Sequence, residues 1–312
     1  MRIFFYLIFI VFLSLPSTLF AQQEPQYTQY MYNTQIINPA YSGNRKMLSF
    51  GLLYRTQWVG IEGAPKTVTF TINSPIGKRR NMGLGLSVIH DEIGPSTQTD
   101  VAIDYAYAIP VDDDTRLSFG IKGGFDVLEV DFTKLDIYNP HDPLYQENID
   151  NRWQPKIGAG VYLNTDHWYI GASVPNFLET QHYVRSNNSN MQSIASDRMH
   201  FYFIGGYVFD FSFNLQFKPT TMIKVVRGAP LQWDFSANFI FDEKLTLGAS
   251  WRGDAALAAM AGFQVSPSIF LGVGYDYQLT DLQKYSDGSY EVIMRFDVIN
   301  TFDAIMKPFR YF

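Results

Sequence analysis

The sequence predicts an all-β protein, a single transmembrane antiparallel β-barrel of about 14 strands. Three observations lead there: a secretory leader, apolar residues alternating with small or polar ones along the whole chain, and links that alternate between short and long.

The N-terminus, MRIFFYLIFIVFLSLPSTLFAQQ, places Arg2 before an apolar run to Leu13, a break at Pro16 and Ala21 at a cleavage point. That is the pattern of a signal peptide over 1–21. The run is shorter than the roughly 18 to 20 residues of a membrane helix, and no other uninterrupted apolar run of that length follows. The chain has no cysteine, so lipid attachment and disulfide stapling are both excluded. Aromatic residues make up 16% and charged residues 17%, with a net charge of -6, a balance that argues against a nucleic-acid partner. No linker or composition shift divides what remains. We expect an N-terminal periplasmic or plug segment at 22–45, a barrel at 46–303 and a C-terminal tail at 304–312.

Successive side chains of a strand point to opposite faces, so a period of two separates two environments. In SIFLGVGYDYQL, Ile269, Leu271, Val273, Tyr275 and Tyr277 share one parity, and Phe270, Gly272, Gly274, Asp276 and Gln278 the other. KTVTFTIN sets Val68, Phe70 and Ile72 against Thr67, Thr69, Thr71 and Asn73. LQWDFSANF, NMGLGLSVI, TRLSFGIK and SYEVIMRFDV behave alike, with charges on the non-apolar parity each time. Weaker segments around Leu52, Ile103, Ala159, Ala172, Phe203, Leu215, Leu247 and Ala258 complete the count. Most run roughly 9 to 12 residues, the length a tilted strand needs to cross a bilayer. The stretch from Phe201 to Phe209 is apolar on both parities, and Pro219 lacks the N–H a central strand requires, so an edge or bulge is expected there.

The short links are SPIGKRRN, PVDDDT, NTDH, FDFS, FDEK and VSPS; the links between them are longer or irregular, notably Asp131 to Asn151 and Asn176 to Asp197. Outer-membrane barrels show this alternation, with short turns in the periplasm and long loops outside. An even strand number then puts both termini in the periplasm. Trp58, Trp153, Trp168, Trp251, Tyr275 and Tyr277 fall near strand ends, where aromatic girdles meet the membrane interface. A closed barrel facing outer-membrane lipid on one parity and its own lumen on the other satisfies every strand edge.

Several pieces together carry a resemblance: Gln29 to Met31, Asn38-Pro39-Ala40-Tyr41 with Gly43, Arg55 with Gln57-Trp58, Gly60, and Gly63-Ala64-Pro65-Lys66. It continues through GLGLSVIHDEIGP, PKIGAGVYLNTDHWYIGASVPN and GSYEVIMRFDV. The chain resembles the PorP/SprF family of type IX secretion system membrane proteins over nearly all its mature length. The resemblance implies a Bacteroidetes outer-membrane barrel similar in strand number to long-chain fatty acid transporters. It implies a non-enzymatic partner of a large secreted adhesin or gliding protein, supporting export or surface retention through that client's C-terminal export domain. It also implies contact with type IX secretion or gliding machinery components.

Asn38, Pro39, Tyr41 and Gly43 form the candidate plug or docking turn, whose bland reading is a cap closing the periplasmic end. Trp58, Gly60, Pro65 and Lys66 form the candidate client-contact loop, or else a girdle residue followed by a rigid loop. The lumen parity carries Arg55, Lys122, Lys156, Arg252 and Arg295 with Asp104, Asp234, Asp276, Glu291 and Asp297, which suit charge pairs filling a closed barrel. Gly83, Gly85, Gly272 and Gly274 leave room for a solute or peptide, or let the sheet curve. His90-Asp91-Glu92 and Asn139-Pro140-His141-Asp142 are expected in outer loops, but no nucleophile motif accompanies them. Asp112-Asp113-Asp114 reads as a polar hairpin tip. No catalytic residue, metal site or cofactor is expected. The alternative function is outer-membrane transport of a hydrophobic solute such as a fatty acid, favoured by the strand count and the apolar Tyr202 to Val208 segment.

Overall fold

The computed structural model describes residues 25–135, 148–179, 181–187, 190–196 and 198–299. The leader at 1–21, the Asn139 to Asp142 group and the tail at 304–312 lie outside the described residues.

The first half of the sheet comprises β1 (Leu48–Thr56), β2 (Lys66–Ile76), β3 (Met82–Ile93), β4 (Ser96–Pro110), β5 (Arg116–Val130), β6 (Ile149–Asn164) and β7 (Trp168–Val174). A separate hairpin, β8 (Gln181–Asn187) with β9 (Asn190–Ser196), stands in the link that follows. The second half comprises β10 (His200–Tyr207), β11 (Phe209–Ser212), β12 (Leu215–Val226), β13 (Gln232–Phe241), β14 (Leu245–Arg252), β15 (Ala256–Ser266), β16 (Ile269–Gln278) and β17 (Ser289–Val298). Most neighbours in sequence pair antiparallel, and three further pairings close the ring: β1 with β17, β10 with β7 and β10 with β12. Because β10 and β11 are two parts of one staggered strand against β12, the closed barrel has 14 strands.

The distribution of burial is that of a soluble protein turned inside out. Val68, Phe70, Ile103, Ile121, Phe203, Trp233, Phe235, Leu247, Val273 and Val292 face outward, exposed, on strands all around the ring. Thr67, Thr69, Asp104, Ser236, Asn238, Asp276 and Glu291, from the other parity, are buried within. A continuous apolar outer surface of this kind needs lipid against it. The Ile269–Gln278 strand alternates without a break, Phe270, Gly272, Gly274, Asp276 and Gln278 inward.

One end of the barrel, here the turn end, carries the links 77–81, 111–115, 165–167, 213–214, 242–244 and 267–268. The loop end carries 57–65, 131–148, 175–199, 227–231 and 279–288, together with two tight turns at 94–95 and 253–255. Those tight turns correct one expectation. His90, Asp91 and Glu92 lie in β3, paired with Thr99, Gln98 and Thr97, because Gly94 at φ 56 turns the chain directly into β4. The strands here outgrow the bilayer, β4 and β5 reaching 15 residues and β6 reaching 16.

FDFS, expected as a turn, is β11, and the turn proper is 213–214. The two-parity apolar stretch has a structural cause. Its strand is interrupted at Val208, which is buried, while Tyr202 and Ile204 point inward and Phe201 and Phe203 outward. Pro219 of β12 stands opposite that interruption, between the last β10 partner at Thr220 and the first β11 partner at Phe217, so its missing N–H breaks no ladder.

Candidate functional site: the filled lumen and the loop rim

Residues 27–45 run inside the barrel, and nearly every one is buried. They form short helical turns, Tyr30–Tyr32, Thr34–Ile37 and Pro39–Tyr41, which satisfy some backbone groups locally. The remaining polar groups of a segment shut away from water must be met by the wall. At the loop end, Glu291 accepts the N–H of Thr28 at 2.9 Å and of Gln29 at 2.8 Å, and Asp276 accepts the Thr28 hydroxyl at 2.6 Å. Arg55, 1% exposed, holds both carboxylates, at 2.7 Å from Asp276 and 3.1 Å from Glu291. Arg252 joins Asp234 at 2.6 Å and donates to the Tyr27 carbonyl at 3.4 Å.

Midway along the lumen the Tyr30 hydroxyl meets Thr220 and Ser236, at 3.0 and 3.3 Å. Gln35 donates to the Leu86 carbonyl and to Asp104, and accepts from Asn73. Lys122 pairs with Asp104 at 3.2 Å, and Lys156 with Asp100. Toward the turn end Ser173 donates to the Ile37 carbonyl at 2.9 Å, and Arg45 bonds Asp297 at 2.8 Å. The lumenal charges expected to pair do so, but along the wall and not across the lumen, as where Lys122 faces Asp104, Arg252 faces Asp234 and Arg55 faces Glu291 on adjacent strands, and several also grip the segment.

The four turn residues come together against β3, β5 and β6. Asn38, fully buried, accepts from the Ala40 N–H at 3.0 Å, which caps the Pro39–Tyr41 turn. Its amide donates to the Val161 carbonyl at 3.0 Å. Tyr41 meets Tyr162 edge-on at 5.7 Å between ring centroids. Gly43 has φ +75, and a Cβ there would sit 2.6 Å from the Gly83 Cα. The lumenal glycines thus have a specific use: side chains on Gly83, Gly120 and Gly160 would overlap Ser42, Ala40 and Asn38, and one on Gly272 would crowd Gln29. They are the seats of the segment.

Trp58, Gly60, Pro65 and Lys66 lie at the opposite end, so the two predicted groups do not meet. Their loop is stitched to its neighbours: Gln57 N–H to the Pro65 carbonyl at 2.9 Å, Val59 N–H to Gly288 at 2.9 Å, Asp287 N–H to Val59 at 2.7 Å, and Gly94 N–H to Gly63 at 2.9 Å. Trp58 and Gly60 both take positive φ, and Lys66 begins β2 with its side chain exposed. A loop held in this way is ordered, which suits a rigid loop and a contact surface alike.

Sequence reading missed Thr28, Gln29, Gln35 and Arg45 as partners of the wall. The available signal was the pairing of lumenal glycines with carboxylates on the β16–β17 hairpin, which demands a donor-rich neighbour. The first described residue, Pro25, lies at the loop end, and the last described, Ile299, at the turn end. Counting strands cannot register a segment that crosses the lumen before the first one begins. Among the described residues, no three His, Asp or Glu side chains gather in a way that could hold a metal ion.

None of the curated proteins compared with the chain matches it. The fold resembles the Ralstonia pickettii toluene transporter TbuX, with a TM-score of 0.51 at 9% identity over 84% of this chain and 92% of that one. It also resembles the CymD monoaromatic hydrocarbon channel, TM-score 0.50 at 10% identity over 88% and 94%. At such identities the likeness concerns the barrel fold alone. The model for "Type IX secretion system membrane protein PorP/SprF" matches residues 19–296. That family is one of secretion-system components and not of enzymes. With a lipid-facing outer surface and a family match over most of its length, the chain is an outer-membrane β-barrel and belongs to the PorP/SprF family of type IX secretion system membrane proteins.

Proposed function

We propose that this protein is a non-enzymatic platform that holds the C-terminal export domain of a large secreted surface protein, of adhesin or gliding type, at its loop end. One observation carries the reading: the chain fills its own lumen along the whole barrel, while the long links gather at a single end. A barrel closed by its own buried, hydrogen-bonded segment is suited to binding at its rim rather than to passing a folded client through its centre. Loops mounted on a rigid ring are a usual place for recognition. The loop end faces outside and the turn end the periplasm, where machinery components have access to it; lipid covers the apolar band. The client contacts are Trp58, Gly60, Pro65 and Lys66 together with the links 131–148 and 175–199. Asn38, Pro39, Tyr41 and Gly43 act as the inner plug.

A hydrophobic-solute transporter would need an apolar path. The described lumen is mixed, with paired charges, threonines and amides beside an apolar cluster that includes Leu53, Tyr202, Met222 and Ile293, and residues 27–45 occupy it. Deleting residues 176–197 tests the platform reading. Client capture from outer membranes should be lost while heat-modifiable migration of the barrel persists; undiminished capture would remove that loop from the surface, and a bound lipid with no protein partner would favour transport.

A further inference from the structure

The strand made of β10 and β11 outruns its neighbour at the turn end. Tyr207 is its last residue to pair with β7, at Trp168, and Val208 donates its N–H to the His167 carbonyl at 2.7 Å, where the 165–167 turn closes. Phe209–Ser212 continues beyond that turn, paired with β12, and the chain reverses at 213–214. The odd-numbered residues of this projection are all aromatic: Tyr207, Phe209, Phe211 and Phe213. Among the described residues no large apolar side chain is more exposed than Phe213, at 99%. The rings form one row with the lipid-facing surface. Tyr207 lies 4.4 Å from Phe209 between centroids, Phe209 and Phe211 lie 6.2 and 6.0 Å from Phe217 of β12, and Phe217 lies 4.9 Å from Phe239 of β13. The even-numbered residues are polar and already engaged. Asp210 accepts from the Gln216 amide at 2.8 Å, the Ser212 hydroxyl donates to the Asn214 side chain at 2.7 Å, and the Asn214 carbonyl accepts the Asp242 N–H at 2.9 Å. No charged residue stands between Asp210 and Lys218, whereas the flanking turns carry exposed Asp166 and His167 on one side and Asp242, Glu243 and Lys244 on the other.

We propose that the β11–β12 hairpin is a lipid anchor, with Phe211 and Phe213 lying among the acyl chains of the leaflet at the turn end, so that the bilayer reaches the tip of this hairpin. Continuity with the lipid-facing surface identifies the occupant. The row begins within that surface, at Phe203 and Tyr207, and no polar side chain of the same parity interrupts it before Phe213, so nothing marks a level at which lipid gives way to water. Tyrosine and tryptophan girdles keep a polar tip for the interface, and phenylalanine has none. A phenylalanine ring left in water is unfavourable by its whole apolar area, which acyl chains remove from contact with water. A protein partner would find little polar complement on the tip, because Asp210, Ser212 and Asn214 are engaged within the hairpin and by the next turn. Those residues and the charged flanking turns fall at the headgroups, and the hairpin thereby fixes how deep the barrel sits along β10 to β13. The placement holds whichever compartment the turn end faces.

The absence of cysteine makes the test direct. Full-length Phe211→Cys, Phe213→Cys, Val292→Cys and Asp113→Cys variants each receive one nitroxide label and are reconstituted into vesicles of phosphatidylethanolamine and phosphatidylglycerol. Val292, exposed on the outward face of β17, and Asp113, exposed in another turn, are the lipid and water references. Heat-modifiable migration confirms that each barrel is folded. Oxygen concentrates among acyl chains and a nickel chelate in water. The expected result is severalfold greater relaxation by oxygen than by the chelate for the Phe211→Cys and Phe213→Cys labels, as for Val292→Cys, and the reverse for Asp113→Cys. Chelate access at both phenylalanine positions equal to that of Asp113→Cys would overturn the anchor. In isolated outer membranes the same oxygen preference supports it, whereas shielding of both labels from oxygen and chelate alike would show protein over the tip and overturn lipid as its occupant.

Discussion

Replacing Glu291 by alanine removes a carboxylate that serves three donors at once: the N–H groups of Thr28 and Gln29 and the Arg55 guanidinium. Removing one partner of a buried ion pair typically costs about 3 to 5 kcal/mol. Arg55 keeps Asp276 at 2.7 Å and the Thr28 hydroxyl at 2.8 Å, which argues for the low end of that range. The two orphaned N–H groups would each add about 1 to 3 kcal/mol if left dry, but the truncated side chain leaves space for water to meet them. Taking about 3 kcal/mol, local release of the segment's loop end becomes about 100-fold more frequent, at 1.4 kcal/mol per tenfold. Hydrogen exchange at the Thr28 and Gln29 amides reads this directly, since opening to solvent is what exposes them. The ladder between β1 and β17 is made of backbone, so its amides should keep their protection. An Arg55→Met, Glu291→Leu double variant should not recover the loss, because it leaves buried Asp276 with Arg252 at 3.7 Å in place of Arg55 at 2.7 Å. Exchange at residues 28 and 29 little changed from the parent would refute the claim that Glu291 anchors the segment. An equal rise throughout β17 would show that the barrel itself had opened.

Three further outcomes are expected. Gly120→Val places side-chain atoms where the Ala40 nitrogen lies, whereas Gly123→Val on the same strand meets nothing within 4 Å; only the first should make residues 38–43 protease-sensitive, at an overpacking cost of about 1 to 3 kcal/mol or more. Arg45→Met removes one of two guanidiniums on Asp297, leaving Arg295 at 3.3 Å; it should lower the melting temperature by the loss of about 1.5 to 3 kcal/mol, and an unchanged melting temperature would discount that pair. Asp131 accepts from the Thr133 hydroxyl at 2.6 Å and its N–H at 3.1 Å, and those bonds, the hydroxyl first, hold its carboxyl below the usual range. Because the folded-state pKa is depressed, its contribution to the Phe132–Lys134 turn is present above the ordinary carboxylate value of about 4 and is lost as pH falls through the lowered one. Thr133 amide exchange across that range should show the loss, and an Asp131→Asn variant should flatten it.

The separation of faces was legible in the sequence because it depends on a period of two, which each strand carries within itself. Thr67 to Asn73 and Ile269 to Gln278 could each be sorted into lumen and lipid without knowing any neighbour, and the charges followed the lumen parity. Pro219 likewise announced a fault in its ladder, since the missing N–H is a property of that residue alone. What opposed it, the interruption at Val208, lies across a strand pair and leaves only a blurred parity in the sequence. The tight turn at Gly94 was hidden by polar His90, Asp91 and Glu92, which resemble a loop but continue β3 beyond the membrane.

By itself, then, the sequence determined an exported chain whose strands are wet on one side and greasy on the other, in a number suited to closing on themselves. Only the tertiary structure decided that the lumen is filled, and in which direction. Thr28 meets Glu291 across 263 residues and Arg45 meets Asp297 across 252, and partnerships at that separation leave no local period to read. They exist because burying a polar segment favours partners for its backbone N–H groups and for the wall's carboxylates, and closing the barrel brings β16 and β17 next to β1 around it.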